Sequence, residues 1–258
     1  MPGATIVLAN AKGGCGKTTS ALHLAVALAD AGYATLAIDA DAQHTLSRHL
    51  GVVPHGIPTL RDVLFDGMPV RTAAVSVRPN LRLVPASLKL ANADVALSQL
   101  AGSDLRLRRA MDDPDWEICV IDCPPSLGKL TMNALVAGSH VLVPIDSAPY
   151  ALEGLDMLMQ TVDEARSYYN PDLRFLGAVL TLYDNTRIAR QVLEEVRARW
   201  PRQTLSTVIR RSTRVKEAAA FRDTVFDGGA NGAGDDYRAL ACDVLSRLGL
   251  VRNAVRQA

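Results

Sequence analysis

Short apolar runs and amphipathic segments alternate along most of the chain. Apolar runs of roughly four to eight residues are typical of buried strands, whereas apolar residues spaced three and four apart indicate helices. Strands that alternate with helices predict an α/β fold, with a mostly parallel twisted sheet and helices on both faces. The predicted strands cover residues 5–9, 34–38, 80–85, 116–122, 140–145, 175–182 and 205–209. The predicted helices cover residues 21–28, 59–65, 90–111 and 235–248, and a further arginine-bearing helix begins at residue 184.

Nothing along the chain divides this pattern into separate units. There is no low-complexity linker and no internal repeat, and a chain of 258 residues with 48% apolar residues can form a sizeable core. We therefore expect a single domain over residues 1–258. The basic cluster at 106–109 is interpreted as the solvated end of the predicted helix 90–111, because cations favour a helix C-terminus.

The sequence shows no recognisable targeting signal and no disulfide framework, and both observations favour a cytoplasmic protein. No apolar run approaches the ~20 residues of a membrane span, and the first residues lack the charged and apolar regions of a signal peptide. Four cysteines in a chain of this length do not make a disulfide framework. These are Cys15, Cys119, Cys123 and Cys242.

Charge is balanced over the whole chain but not along it. The formal net charge is only +1, so no global field would attract nucleic acid. Residues 187–216, however, carry nine basic residues and only two acidic ones. This local excess is a candidate surface for a polyanion.

The segment 12–19, K-G-G-C-G-K-T-T, is the strongest chemical signal in the sequence. It lies between a predicted strand and a predicted helix, where backbone N–H groups can curl around a phosphate and the helix dipole favours an anion. The common phosphate-loop pattern G-x-x-x-x-G-K-[ST] would place glycine at position 11, where this chain has Ala11. Lys12 instead stands just inside the loop.

Carboxylates follow two of the predicted strands. Asp39 and Asp41 come at the end of the strand 34–38, and Asp122 ends the strand 116–122. Open α/β sheets bind ligands at the carboxyl ends of their strands, so these groups are expected beside the phosphate loop. A single aspartate at a strand tip, such as Asp122, can hold Mg²⁺ or its bound water in a nucleotide site.

These motifs together resemble the ParA/MinD family of P-loop ATPases, whose deviant Walker A loop reads K-G-G-x-G-K-[ST]-[ST]. The segments D-A-D-A-Q from residue 39, D-C-P-P-S from residue 122 and Y-A-L-E-G-L from residue 150 also resemble family patterns. The similarity covers nearly the whole chain and is greatest to short ParA/Soj-type partition proteins, because no helix-turn-helix precedes the loop. The implied fold is that of a P-loop NTPase.

The resemblance implies a role for each residue of the loop and its neighbours. Lys17 would hold the β- and γ-phosphates, and Lys12 would reach the partner's phosphates across an ATP-sandwich dimer. Asp41 would orient the attacking water. Mg²⁺ would be held by Thr18, Asp39 and Asp122. The nucleotide-binding residues of the loop would be Gly13, Gly14, Cys15, Gly16, Lys17, Thr18 and Thr19.

The sequence favours ATP over GTP. Guanine-binding proteins carry N/T-K-x-D, and no lysine of this chain is followed by aspartate two residues later. In the family, the adenine contacts come from a segment equivalent to 209–218, here with Arg211 and Ser212. Arg210 and Ser212 stand where the family has proline and asparagine, and serine lacks the paired amide donor and acceptor. Ala42, His44 and Thr45 also depart from the family's P, G and N.

The resemblance implies a slow ATPase that a ParB-like or other cargo adaptor stimulates. The ATP-bound dimer would bind double-stranded DNA without sequence preference, at the nucleoid, and would position DNA or another cargo. Phosphate contacts from arginine are blind to sequence. Alternatively, the basic segment is only a solvated face, with Arg197 and Arg199 paired to Glu194 and Glu195. The predicted DNA-binding residues are Arg187, Arg190, Arg211 and Arg214.

Two other functions share the loop. A MinD-like membrane-cycling ATPase would need a basic amphipathic C-terminal helix, but residues 248–258 are short and carry two cations and neither Trp nor Phe. An ATP-driven iron–sulfur reductase would need accessible, loop-borne cysteines, whereas the pattern places Cys119 inside a buried strand. A DNA-binding partition ATPase with no membrane partner is the preferred interpretation, and its cargo stays open.

Overall fold

The computed structural model describes residues 3–112, 114–148, 151–227, 229 and 231–250. In this part of the chain, eight strands form one sheet in the order β3-β4-β2-β5-β1-β6-β7-β8. All neighbours pair in parallel except β3 and β4, which are antiparallel. The strands are β1 (Ala4–Leu8), β2 (Thr35–Asp39), β3 (Val75–Arg78), β4 (Leu81–Val84), β5 (Ile118–Asp122), β6 (His140–Asp146), β7 (Arg174–Tyr183) and β8 (Thr204–Arg210).

Helices connect the strands and cover both faces of the sheet. The described helices are α1 (Lys17–Asp30), α2 (Thr45–His49), α3 (Leu60–Asp66), α4 (Val70–Ala73), α5 (Ala93–Ser98), α6 (Arg106–Ala110), α7 (Lys129–Ala137), α8 (Ala151–Tyr168), α9 (Arg187–Arg199), α10 (Thr213–Phe221) and α11 (Gly232–Leu248).

The alternation of side chains along each strand builds two separate cores. On one face, Ile6 and Leu8 of β1 pack with α1, α2 and α11. On the other face, Val7 packs with the helices from α3 to α9. Successive strand residues point to opposite faces, so a central strand that is buried on both sides must be apolar throughout. The predicted fold class, a mostly parallel α/β sheet covered on both faces, is confirmed.

The predicted helix 90–111 is wrong as one element. The chain instead forms two short helices, α5 and α6, with a break at Gly102, whose φ is 64°. The left-handed conformation that glycine adopts at little cost ends the helical path. Arg106 is consequently not a solvated helix end, because its guanidinium donates to the carbonyls of Leu64 (2.7 Å) and Phe65 (3.3 Å) at the end of α3.

Candidate functional site

The seven parallel strands all direct their carboxyl ends to one edge of the sheet. The phosphate loop follows β1, and the carboxylates of β2, β5 and β6 lie at the tips of those strands. Strand pairing places Asp122 beside both Leu8, the last residue before the loop turns, and Asp39. The sequence-predicted residues of the loop and the two strand-end aspartates are therefore brought together at this edge.

The phosphate loop has the backbone of an anion cradle. Gly14 and Gly16 have φ values of 75° and 82°, a left-handed conformation that residues with side chains rarely adopt. Within the described part of the chain, the backbone N–H groups of Gly13, Gly14 and Gly16 have no acceptor. Helix α1 begins at Lys17, so its positive end faces the same space. Free amides and a helix N-terminus together make a phosphate site.

The ammonium groups of both loop lysines are bound to other groups of the protein. Lys17 is buried, with 6% of its surface exposed, and its ammonium donates to the carbonyl of Lys12 (2.8 Å). The ammonium of Lys12 pairs with both carboxylate oxygens of Asp146 at the tip of β6, at 2.9 and 2.8 Å. Asp146 was not among the sequence-predicted residues. It could have been found by the reasoning used for Asp39, because it directly follows the predicted strand 140–145.

Asn10 fixes the start of the loop. Its amide nitrogen donates to the carbonyl of Pro144 in β6 (2.8 Å), and its amide oxygen accepts from the backbone N–H of Lys12 (3.0 Å). Helix α8 crosses this point at Gly154, where a Cβ would lie 3.1 Å from the Asn10 oxygen. This close approach gives a physical reason for the glycine in the Y-A-L-E-G-L segment. Tyr150 of that segment lies outside the described residues.

Asp39 and Asp122 form a like-charged buried pair on neighbouring strands. Both side chains are fully buried. Burial raises the pKa of Asp39 to about 6. Burial, and then the nearby charge of Asp39, raises the pKa of Asp122 well above its usual range, and the hydroxyl of Thr18 offsets part of the increase. Removing a carboxylate from water disfavours its charged form unless a cation or donors compensate.

The two carboxylates differ in their partners. Asp39 accepts from the backbone N–H and the hydroxyl of Ser47, at 2.8 and 2.7 Å, and from the N–H of Asp41 at 3.2 Å. Neither oxygen of Asp122 has a partner at hydrogen-bond geometry. An orphaned buried carboxylate near a threonine hydroxyl at a phosphate cradle fits the oxygen ligands that Mg²⁺ requires. The donor set of Asp122 and Thr18 therefore fits this ion.

Asp41 lies in the turn between β2 and α2. Its carboxylate accepts from the backbone N–H of Gln43 (2.9 Å), and its side chain is partly exposed at the same edge of the sheet. His44 in this turn has a φ of 45°. The departure from the family's glycine therefore falls on a residue that adopts the left-handed conformation that glycine favours.

The segment predicted to contact adenine joins β8 to α10. Arg210 is bound to Asp236 of α11, with its side-chain nitrogens 2.6 and 3.0 Å from the carboxylate, and it also donates to the carbonyl of Gly232. The Ser212 hydroxyl accepts from the N–H of Arg214 and caps α10. A cavity of about 200 Å³ opens between these groups, and Arg211 and Ser212 line it. Helix α10 itself was not predicted from the sequence.

The four predicted DNA-binding arginines lie on three neighbouring pieces of the chain. Arg187 and Arg190 are on α9, Arg211 follows β8, and Arg214 is on α10. All four are exposed. The backbone N–H of Arg211 donates to the carbonyl of Tyr183, which ties the β8 end to the segment before α9. Arg214 also lies 3.4 Å from Glu217.

The alternative interpretation paired Arg197 and Arg199 with Glu194 and Glu195. This pairing is wrong for Arg199. Its guanidinium pairs with Asp156 of α8, at 2.5 Å, rather than with the glutamates of its own helix. It also stacks over the ring of Trp200 at 4.7 Å. Arg199 therefore fastens α9 to α8.

The two cysteines of the β5 region, Cys119 and Cys123, are unsuited to holding an iron–sulfur cluster. Cys119 and Cys123 are 0% and 1% exposed, and burial raises the pKa of both thiols above their usual range. Cluster ligation requires accessible thiolates. Cys15 of the loop is also buried, and its Sγ lies 3.3 Å from the carbonyl of Lys12.

No helix in the described part of the chain is long and apolar enough to cross a membrane. The C-terminal residues 251–258, on which the membrane-cycling alternative depends, lie outside the described residues.

Comparisons with known proteins agree with this geometry. Residues 3–175 match a family model described as an AAA domain. The chain is 40% identical over 250 residues to the chromosome partitioning protein ParA of Caulobacter vibrioides, covering 94% of each chain. It is 39% identical over 246 residues to the chromosome-partitioning ATPase Soj of Thermus thermophilus, covering 94% of this chain and 96% of that protein.

A solved structure shows the same fold with nucleotide. The crystal structure of cobyrinic acid a,c-diamide synthase from Mycobacterium smegmatis, with bound ATP analog and magnesium, matches with a TM-score of 0.83 and 32% identity, covering 97% of both chains. Fold, loop and sequence similarity thus agree along nearly the full length. The chain belongs to the ParA/MinD family of P-loop ATPases.

Proposed function

We propose that this chain is a partition ATPase that acts as a single domain over residues 1–258. Two copies close on two ATP molecules, and the dimer binds double-stranded DNA without sequence preference at the nucleoid. A ParB-like or other cargo adaptor stimulates its slow hydrolysis, and this cycle positions DNA or another cargo. The relatives named as chromosome-partitioning proteins support this assignment.

The observation that carries the nucleotide half is the glycine cradle at the start of α1, beside the orphaned carboxylate of Asp122. Gly13 to Gly16 offer amides to the phosphates, and the Lys17 ammonium leaves the carbonyl of Lys12 for a phosphate oxygen. Mg²⁺ held by Thr18 and Asp122 would neutralise charge on the phosphates. ATP and Mg²⁺ are proposed by analogy with the synthase structure, which contains an ATP analog and magnesium.

Asp39 contributes to this site mainly by positioning. Its oxygens hold the N–H of Asp41 and both donors of Ser47, so it fixes the turn on which Asp41 lies. Asp41 then accepts a hydrogen bond from the attacking water and aligns it with the γ-phosphate. Phosphoryl transfer depends largely on such alignment and on charge stabilisation.

The proposed ATP-bound dimer depends on Lys12. Its side chain is 35% exposed at the same edge as the cradle, so a second copy facing that edge can receive its ammonium. The Lys12 ammonium of each copy would add a positive charge beside the ATP phosphates bound by the other copy. A hydrolysis-deficient protein should consequently accumulate as a dimer when ATP is present.

The test is light scattering of Asp41→Ala saturated with ATP and magnesium. We expect a dimer with ATP and a monomer with ADP. Adding Lys12→Ala should abolish the dimer, whereas Lys89→Ala, at an exposed lysine outside the site, should leave it intact. A monomer in ATP, or a dimer that survives loss of Lys12, would refute the proposed assembly.

A further inference from the structure

Thr181 lies near the end of β7 and reaches the phosphate loop across β6. Its side chain is buried, with 2% of the residue surface exposed. The hydroxyl oxygen is 2.7 Å from the carbonyl oxygen of Cys15 in the loop and 3.1 Å from that of Ile145 in β6. A hydroxyl has one hydrogen to donate, and the shorter distance favours the bond to Cys15.

The hydrogen bond from Thr181 is made to the Cys15–Gly16 peptide, whose N–H is one of the loop amides proposed to bind phosphate. The peptide bond between Cys15 and Gly16 is planar and trans, so its carbonyl and its N–H point in opposite directions. A carbonyl held toward Thr181 therefore directs the N–H of Gly16 away from β7, and that N–H has no acceptor in the described protein. Gly16 has a φ of 82°, and a peptide flanked by such a residue can rotate more easily than one in a helix.

The side chain of Thr181 lies directly beside Gly16. A Cβ added at Gly16 would lie 3.6 Å from the Cβ of Thr181 and 3.7 Å from its hydroxyl oxygen, which is ordinary van der Waals distance. Because glycine has no Cβ, the hydrogen bond to the carbonyl of Cys15 is the contact by which the threonine holds this peptide. Strand pairing also sets Thr181 beside Asp146, the partner of Lys12. The tips of β6 and β7 therefore hold both ends of the glycine loop.

We infer that Thr181 is a positioning residue of the nucleotide site, whose hydroxyl fixes the Cys15–Gly16 peptide so that the Gly16 amide faces the phosphates. This inference rests on the proposed use of the loop for ATP. The residue contacts the loop and not the nucleotide. Its removal raises the free-energy cost of ordering the cradle and so weakens the binding of ADP and ATP alike.

The variants separate the hydroxyl from the packing. Thr181→Val keeps the shape and removes the donor, whereas Thr181→Ser keeps the donor and removes the methyl group. Thr35→Val is the matched control, because Thr35 is also buried and its hydroxyl donates to a carbonyl (Tyr33, 2.9 Å), but it lies at the opposite edge of the sheet. The measurements are the Kd of Mg²⁺–ADP by titration calorimetry and the melting temperature without nucleotide.

We expect Thr181→Val to raise the Kd for ADP about tenfold, which is the size of one orienting hydrogen bond. Thr181→Ser should stay within about threefold of the unmodified protein. Thr35→Val should lower the melting temperature by a similar amount to Thr181→Val without changing the Kd. A purely structural role for Thr181 would give the same result as this control, with lower melting temperature and unchanged affinity.

Two results would overturn the inference: an unchanged Kd in Thr181→Val, or a serine variant that binds as weakly as the valine variant. If Thr181→Val does not fold, Thr181→Ser and Thr181→Ala, which differ only in the hydroxyl, answer the same question. Failure of the unmodified protein to bind Mg²⁺–ADP would instead refute the proposed nucleotide site itself.

Discussion

The ion pair between Lys12 and Asp146 competes with the proposed transfer of Lys12 to a second copy. The pair has both carboxylate oxygens within 2.9 Å of the ammonium, and Asp146 is mostly buried. For Lys12 to reach a partner's phosphates, this pair must open. The pair therefore opposes dimer formation by about the free energy that it contributes, which for a partly exposed pair is on the order of 1 kcal/mol.

Asp146→Asn should accordingly tighten the ATP-dependent dimer about thirtyfold, because closing the dimer opens this ion pair in both copies, at about 1 kcal/mol each. The measurement is the dimer dissociation constant by analytical ultracentrifugation in the Asp41→Ala background. Asp104→Asn is the control, since it disrupts a comparable ion pair with Lys129 away from the loop. Equal dimer constants for the two variants, or a weaker dimer in Asp146→Asn, would contradict this prediction.

His44 provides a second test at the scale of one residue, through backbone conformation. With a φ of 45°, it occupies the left-handed region, which costs a residue with a side chain about 1 kcal/mol or more relative to glycine. We expect His44→Gly to be more stable than His44→Ala by about 1 kcal/mol in urea unfolding. Arg48, exposed within α2, should show the reverse order, because alanine is favoured over glycine in a helix by about 1 kcal/mol. The same order at both positions would exclude backbone strain at His44.

His23 lies in α1 and connects this helix to residues 224–227 and to α11. Its Nδ1 lies 2.8 Å from the carbonyl of Thr19, its Nε2 accepts from the N–H of Val225, and its ring stacks on Tyr237 of α11 at 4.5 Å. The Val225 contact requires an unprotonated Nε2, and burial lowers the pKa of His23 to about 4. The neutral imidazole therefore fastens α11 and residues 224–227 to the helix that begins at the phosphate loop.

This depressed pKa predicts a loss of stability in acid. The unfolded chain takes up the proton near pH 6.5 and the folded chain only near pH 4, so the unfolded state binds more protons between these values. The contribution of His23 is complete above pH 6.5 and falls by roughly 3 kcal/mol as the pH decreases to 4. Asp39, with a pKa raised to about 6, acts in the opposite direction.

The difference between the unmodified protein and His23→Gln isolates the histidine, since Asp39 is common to both. The measurement is the free energy of unfolding in urea at several pH values. Whatever the stability of the variant at neutral pH, we expect the stability of the unmodified protein relative to His23→Gln to fall by roughly 3 kcal/mol between pH 6.5 and pH 4. Parallel curves across this range would show that His23 does not titrate on unfolding.

At the scale of elements, the sequence predicted what depends on local periodicity. The central strands were predictable because both of their faces are buried, which requires continuous apolar runs. The segment 90–111 was not, because apolar spacing alone does not reveal that Gly102 takes a left-handed conformation and ends the helix. Helix α10 was missed because none of its side chains is buried, so no apolar stripe marks it.

In the candidate site, too, some residues could be placed from the sequence and others could not. Lys12, Lys17 and Asp122 could be placed from the loop motif and from the rule that ligands bind at the carboxyl ends of parallel strands. Asp146 and Thr181 could not be assigned partners from the sequence. Their contacts to the loop depend on β6 lying next to β1 and on β7 lying next to β6, and both strands are more than 100 residues away from β1 along the chain. The order of strands in the sheet, rather than any local pattern, determines these contacts.

At the scale of the whole molecule, one edge of the sheet carries both proposed activities. The phosphate loop follows the central β1, and the four arginines lie beyond the tips of β7 and β8. The carbonyl of Tyr183 at the end of β7 accepts from the N–H of Arg211, so the arginine surface is attached to the strand that also carries Thr181. Closing a dimer at this edge would bring two such surfaces into one assembly.

DNA binding should therefore depend on ATP and fall steeply with salt. If one dimer uses all four arginines of each copy, the slope of log K against log salt approaches about −7 for duplex DNA, and fewer contacts give a shallower slope. The measurement is fluorescence anisotropy with random duplex at several salt concentrations, using Asp41→Ala with ATP. Arg211→Ala with Arg214→Ala should weaken binding at least tenfold and reduce the slope by about half, because both copies lose two phosphate contacts.

Arg197→Ala with Arg202→Ala is the matched control, because these exposed arginines belong to the same basic segment but not to the predicted surface. If the predicted surface binds DNA, the two double variants should differ in affinity and in salt slope, because only Arg211 and Arg214 contact phosphates. If the basic segment is only a solvated face, the two double variants should behave alike. Equal affinities and equal slopes for the two pairs would leave the four arginines without a role in DNA binding, even if the ATP-bound dimer forms as proposed.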